Sequence, residues 1–163
     1  MDHRDHQAPD RSGQPAPRLM PPARFEWTRQ PGTGPSTSIL GPLPGATVVE
    51  LGCGSGHNLA HLVAHHGAIG IGLDHNPVKI SRARTGYGHL PGIRFTLAEA
   101  HHYLNAAMPA SADLVLSIFG AFSFTNPLAL LTATARILRP GGLLAMTLRA
   151  DAHHDAVLVL RHR

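Results

Sequence analysis

Cysteine is all but missing: Cys53 is the only one in 163 residues, which excludes an internal disulfide framework. Long apolar runs are missing too. Nothing approaches the roughly 18 consecutive apolar residues a membrane-spanning helix needs, so no membrane span is expected. The opening segment MDHRDHQAPDRSGQPAPR has no apolar centre; no secretory signal is expected, and the cytoplasm is the default location. Aromatic residues make up 5% of the chain and charged residues 15%. The net charge of +4 and a pI near 10.2 suggest a polyanionic partner at first sight. The basic residues stand apart, however: Arg4, Arg11, Arg18, Arg24 and Arg29, then Lys79, Arg82, Arg84 and Arg94. No basic run alternates with aromatics, so nucleic acid is not expected as a partner.

What is present is an apolar content of 43%, ordinary for a globular core, in a chain long enough for one compact domain. Residues 1–24 are rich in Pro, Asp, Arg and His and lack periodicity, which predicts a disordered tail. Residues 25–45 carry the only tryptophan, Trp27, and a Pro-Gly-Thr-Gly-Pro turn signal, so an ordered arm folding back over the domain is expected. From residue 46 to 163 short apolar runs alternate with helical patterns. TVVEL, AIGIGLD, IRFTLAE, ADLVLSIF and LLAMTLR read as strands. NLAHLVAHHG, NPVKISRAR, the short HHYLNAA and NPLALLTATARIL read as helices or turns, two of them opening on Asn-Pro, with the last ending at a Pro-Gly-Gly breaker. Such alternation implies right-handed crossovers and an α/β doubly wound, mostly parallel sheet. After the fifth strand the gap before Val157–Leu160 is too short for a crossover, so residues 143–149 and 156–161 should form an antiparallel hairpin.

The stretch VVELGCGSGHN, Val48–Asn58, places Gly52, Gly54 and Gly56 at alternate positions between a strand and a helix. A glycine turn admits a ligand without a Cβ in the way, and the helix behind it offers unpaired N–H groups. Dinucleotides and nucleosides with a carboxylate-bearing tail both use this arrangement. The dinucleotide fingerprint needs G-x-G-x-x-G; counted from Gly52 its sixth position is His57, and from Gly54 it is Leu59. The pattern that stands here is E-x-G-x-G-x-G, beginning at Glu50.

This form resembles motif I of the class I S-adenosylmethionine-dependent methyltransferases, whose fold is Rossmann-like. Further stretches match that family in order: Asp74 ending the second strand, Ala98-Glu99-Ala100 after the third, ADLVLSIFGAF at the fourth and RILRPGGLLAMT before the fifth. The resemblance covers about residues 47–147. It implies S-adenosylmethionine as cofactor. Gly52, Cys53 and Gly54 would line its methionine portion within the loop that Gly56 closes, and Glu50 would hold the amino group or shape that loop. Asp74 would bind the ribose, with His75 against the adenine. Ala98, Glu99 and Ala100 would meet the adenine edge, and the Ser117 backbone would lie near the amino group. Family members usually continue past the fifth strand with a helix and a sixth strand before the antiparallel seventh; here those parts are absent between Arg149 and Ala156. The expected activity is methyl transfer to a small-molecule acceptor, with a second subunit or partner as one way to complete the acceptor side. A non-catalytic S-adenosylmethionine-binding domain and a nicotinamide-dependent oxidoreductase are the alternatives.

Other residues draw plainer expectations. Cys53 reads as a small loop residue, because no ordered His/Asn set accompanies it as it would a nucleophile. His57, His61 and His65 recur every fourth residue, a solvated stripe rather than a metal site. His57, His102 and Tyr103 are the candidates should the acceptor have a proton to lose. Trp27 reads as a plug under the arm, with a lid over the cofactor the alternative, and Phe119, Phe122 and Phe124 as packing.

Overall fold

The computed structural model describes residues 17–151 and 153–163. Six strands, Thr47–Leu51 (β1), Ile69–Asp74 (β2), Ile93–Leu97 (β3), Ala112–Ile118 (β4), Leu138–Arg149 (β5) and Asp155–Arg161 (β6), form one sheet in the order β3-β2-β1-β4-β5-β6. The helices are His57–His66 (α1), Pro77–Tyr87 (α2), Ala100–Ala106 (α3) and Pro127–Ile137 (α4). Both Asn-Pro starts act as the sequence predicts. Asn76 accepts the N–H groups of Val78 and Lys79 through its side chain, and Asn126 does the same for Leu128 and Ala129, satisfying donors that a helix start leaves unpaired.

All neighbouring strands pair in parallel except β5 and β6, which run antiparallel from Leu143 opposite Arg161 to Arg149 opposite Asp155. That is the expected hairpin. α4 ends where expected, but β5 starts five residues before Leu143. The helix stops at Ile137, before the Pro-Gly-Gly, and Leu138 is already in β5. Pro140 disfavours a helical conformation for the residue before it, so the chain extends early. Gly141, at φ 80°, lies where the β4–β5 register slips.

Successive strand residues point to opposite faces, and two cores result. Val48, Leu114, Leu116 and Ala145 pack with α1 and α2; Val49, Leu51, Val115 and Met146 pack with α3 and α4. Phe25, Trp27, Leu40 and Leu43 of the arm belong to the first core. Trp27 is 1% exposed and its ring centroid lies 4.7 Å from that of Phe25. Asn58 ties the arm to α1 by accepting the Glu26 N–H and donating to the Glu26 carbonyl. Arg29 ties it to β6 through an ion pair of 2.7 Å with Asp155. Of the stretch expected to be a tail, residues 1–16 lie outside the described residues; Leu19 donates its N–H to the Gly86 carbonyl at 2.9 Å. Among the described residues no helix is long and apolar enough to cross a membrane.

An aromatic plug with this burial should cost about 3–5 kcal/mol to remove. Trp27→Ala is therefore expected to lower the stability read from urea unfolding by that amount. A change below about 1 kcal/mol, within the range of ordinary surface substitutions, would show that the arm is no part of the core.

Candidate functional site

From β1 the chain winds outward through β2 and β3, then returns to place β4 on the other side of β1. The loops leaving the carboxyl ends of β1 and β4 therefore part in opposite directions, and open α/β sheets hold ligands in the crevice this creates. Gly52 and Gly54 shape its floor. Gly52 has φ 78°, and a Cβ there would lie 2.7 Å from the Gly120 Cα in the loop after β4. Gly54 has φ 56°, and a Cβ there would point into open space. One glycine permits two backbones to touch; the other leaves a vacancy the size of a side chain.

Asp74 sits at the end of β2 and is buried. Its Oδ2 accepts the Gly54 N–H and its Oδ1 the Asn76 N–H, each at 2.9 Å. One carboxylate thus clamps the loops after β1 and β2 while each oxygen keeps accepting capacity. Glu50, 3% exposed, is the opposite case: its Oε2 has no hydrogen-bond partner among the described residues. Burial pushes its pKa up to about 8; the nearby Asp74 charge adds to the rise, and the Leu59 backbone partly opposes it. Burial also pushes the Cys53 thiol up, with Glu50 and Asp74 adding to the effect. A thiol so suppressed is no nucleophile.

Two adjoining cavities occupy the crevice. A cleft of about 750 Å³ is lined by Glu50, Cys53, Gly54 and Asn58, with Glu26 contributed by the arm and Arg24 by the end of the stretch expected to be a tail. A pocket of about 330 Å³ is lined by Asp74, His75, Ala98, Glu99 and Ala100. Gly52, Lys79 and Phe119 line both. The structure therefore gathers every site residue expected from sequence except Gly56 and Ser117. Gly56 lies under Phe95, whose Cζ would be 2.5 Å from an added Cβ. Ser117 is fully buried, and its Oγ accepts the Phe122 N–H at 3.4 Å. Glu99 caps α3 by accepting the His102 N–H; burial opposes its charge, yet the N–H groups of His102 and His101 hold its carboxyl below the usual range.

Sequence reasoning passed over Arg24 and Lys79, and took Phe119 for packing. Phe119 has φ 48°, a conformation rare for a bulky side chain, and its N–H is fixed to the Thr147 carbonyl at 3.1 Å. The only signal in the sequence is an aromatic residue and a glycine directly after β4. The histidine stripe needs correction. His61 is buried rather than solvated; its Nδ1 lies 2.9 Å from the Pro22 carbonyl, and burial lowers its pKa. It latches the arm. His57 lines the cleft, its Nδ1 2.7 Å from the Tyr87 hydroxyl. His102 and Tyr103 line neither cavity. Among the described residues no three His, Cys, Asp or Glu side chains converge as a metal site.

A switch-point crevice with a glycine floor, a buried acid at the end of β2 and, near the end of β1, a buried acid with one unpartnered oxygen belong to a doubly wound, Rossmann-like α/β domain. The methyltransferase-domain family matches residues 49–146, more than half of the chain, and the chain belongs to it, within the class I S-adenosylmethionine-dependent methyltransferases. It is 35% identical over 133 residues to a trans-aconitate 2-methyltransferase of Methylobacterium nodulans, covering 79% of this chain and 49% of that one. It is 34% identical over 132 residues to a ubiquinone biosynthesis O-methyltransferase of Cereibacter sphaeroides, covering 77% and 51%. Among solved structures it resembles an S-adenosylmethionine-dependent methyltransferase of Thiobacillus denitrificans in complex with S-adenosyl-L-homocysteine, at 25% identity and TM-score 0.57, covering 68% of this chain and 44% of that one. The chain spans about half the length of the relatives it matches.

The Glu50 shift has a consequence for stability. The unfolded carboxyl ionises near the ordinary 4.5, whereas the folded one holds its proton to about 8. Unfolding between those values releases a proton, so Glu50 makes stability fall as pH rises from about 4.5 to about 8 and adds no slope above. Glu50→Gln should remove that part of the slope and raise stability at pH 8. Identical pH–stability curves for the two proteins would contradict the burial of an unpartnered carboxyl.

Proposed function

We propose that this chain binds S-adenosylmethionine and transfers its methyl group to a small-molecule acceptor. The observation that carries the reading is Glu50: a buried carboxyl with an unpartnered oxygen, bordering a cleft whose glycine floor would be filled by any side chain. An ammonium group placed there supplies the missing partner and the counter-charge, a strong pairing when desolvated. Arg24 and the opening residues of α1, His57 and Asn58, line the same cleft, and a guanidinium beside a helix start suits the carboxylate of an amino-acid tail. In the smaller pocket the free lone pairs of Asp74 suit ribose hydroxyls. His75 at the rim suits the face of an adenine, and the segment from Ala98 to Ala100 its edge.

Bound in this way, the cofactor supplies an already activated methyl group. The remaining work belongs to the chain, which must orient the acceptor and keep water out. Phe119, fixed between the two cavities, is the wall past which the reacting groups meet. Where the acceptor is a hydroxyl, His57 is positioned to take its proton: it alone of the three candidates lines the cleft. A cleft of about 750 Å³ falls within the size range of small-molecule sites, and the relatives named for trans-aconitate and ubiquinone biosynthesis support an acceptor of that scale. One observation favours a second reading, a domain that binds cofactor without transferring. β5 passes to β6 through residues 150–154 alone, so no segment between them builds an acceptor wall.

Calorimetry with S-adenosylmethionine and with NAD tests the cofactor: binding of the first and not the second is expected. Arg24→Ala and Asp74→Ala should each weaken binding about tenfold to a hundredfold, the loss of one charge-assisted hydrogen bond at about 1.5–3 kcal/mol. Gly54→Val should abolish it by filling the floor. Unchanged affinity in all three variants would refute the placement of the site. Transfer of labelled methyl to any member of a small-molecule acceptor panel decides for the enzyme; tight binding with no transfer decides for the accessory domain.

A further inference from the structure

The outer edge of β6 is unpaired: among the described residues β6 is the last strand of the sheet. Which groups it presents follows from its pairing with β5. His162 directs both its N–H and its C=O to β5, donating to Gly142 and accepting from Gly141. Backbone groups alternate along an antiparallel strand, so those of Asp155, Val157, Val159 and Arg161 face outward. The side chains do not guard this edge. Natural edges are blunted by proline, lysine, bulges or covering segments, yet the centre of β6 is the uninterrupted run Val157-Leu158-Val159-Leu160. Leu158, Val159 and Leu160 are 42%, 37% and 48% exposed, so apolar surface is bare on both faces of the strand.

The geometry points to a second copy of this chain as the partner, joined β6 to β6 in antiparallel fashion about a two-fold axis through Leu158. The strand is complementary to itself in that register. Asp155 falls opposite Arg161 of the other copy, and Val157 opposite Val159. These are all outward-facing residues, so each pair can exchange both backbone hydrogen bonds. Leu158 meets its own equivalent on the axis, in the closer pairing where side chains touch most. The two ends carry opposite charges, and each ion pair occurs twice. Moving the axis to Val157 would set Asp155 opposite Val159 and forfeit both ion pairs. Within one copy Asp155 is held by Arg29 and Arg161 donates to the Gly141 carbonyl. Arg29 takes both Asp155 oxygens, Oδ2 through its backbone N–H and Oδ1 through Nε and Nη2, and leaves that side chain 7% exposed; a carboxylate has four acceptor positions and a guanidinium five donors, so the position left on Oδ2 is the one the other copy's Arg161 would take. The joined sheet has twelve strands, six from each copy, with no free edge at its centre. This inference is independent of what the crevice binds.

Light scattering after size exclusion and sedimentation velocity on the full chain, over a wide concentration range, test it. A concentration-dependent species of twice the 17.3 kDa chain mass is expected. Val159→Pro removes an outward N–H and leaves the β5 pairing intact, since proline is tolerated where a strand N–H faces solvent; it should give a monomer with unchanged circular dichroism and unchanged ligand affinity. Arg161→Asp, at the exposed end of the strand, sets two carboxylates opposite each other and should weaken the dimer at least tenfold. A wild-type chain that stays monomeric at every concentration overturns the inference, as does a dimer that survives both substitutions undiminished.

Discussion

The crevice depends on the near-contact of two loops, those leaving β1 and β4. A Cβ on Gly52 would lie 2.7 Å from the Gly120 backbone, and a Cβ on Gly120 only 1.9 Å from the Leu51 carbonyl oxygen. Neither position can carry a side chain without prising apart two parallel strands that pair directly, Val48 to Glu50 against Leu114 to Leu116. Main chain touches main chain at the bottom, and Phe119, next to Gly120, lines the cavities on both sides. Its left-handed backbone follows from being squeezed between Gly120, pressed against β1, and the Thr147 carbonyl that holds its N–H. Strain of this kind persists only where the surroundings over-determine it, and here it falls on the residue that divides the two cavities.

The two buried acids beside that contact play different parts for a simple reason of hydrogen-bond supply. Asp74 lies where two loops bring backbone N–H groups to it, so its charge is compensated and it serves as a structural clamp with spare acceptor capacity. Glu50 emerges from the middle of the sheet, where strand N–H groups are already committed to neighbouring strands, and one oxygen finds nothing. A buried acceptor left without a partner is costly. Its persistence between apolar strand residues makes sense when the partner arrives with a ligand. Burial, with the same pair of carboxyls adding to it, keeps Cys53 a thiol, which disposes of the chain's single cysteine as a nucleophile.

Much of the fold was legible because its signals are local. The Asn-Pro helix starts, the apolar strands and the short final link each depend on residues within a few positions of one another, and each appears where expected. The glycine spacing from Gly52 to Gly56 was legible for the same reason, and so was the acid twenty-four residues beyond Glu50 that meets Gly54 from the next strand. What escaped was decided by distant contacts. Nothing near Arg24 says that the chain there will cross a cleft. That follows from Trp27 filling a core space, from Asn58 gripping the Glu26 backbone and from His61 reaching the Pro22 carbonyl. His61 misled in particular, because a regular four-residue spacing of polar residues ordinarily marks a solvated face; one imidazole turned inward once a carbonyl was there to receive its N–H. The start of β5 was misjudged by five residues because a proline acts on the residue before it as well as on itself.

The arm and the edge strand are one mechanical unit, although they lie at opposite ends of the sequence. Asp155, first residue of β6, accepts both the backbone N–H and the guanidinium of Arg29. Three residues earlier the arm lends Glu26 to the wall of the cleft, and two before that Arg24. The backbone spacing between Glu26 and Arg29 is too short to absorb much slack. The arm is therefore anchored on both sides of Trp27, by Asn58 at Glu26 and by Asp155 at Arg29. Trp27, buried between the two anchors, leaves that stretch little room to shift, because a close-packed side chain of that size has nowhere to yield. The cleft is thus bounded by main chain on its floor, by an aromatic in left-handed backbone conformation between its halves, and on one side by a segment whose place is set by core packing and by the margin of the sheet.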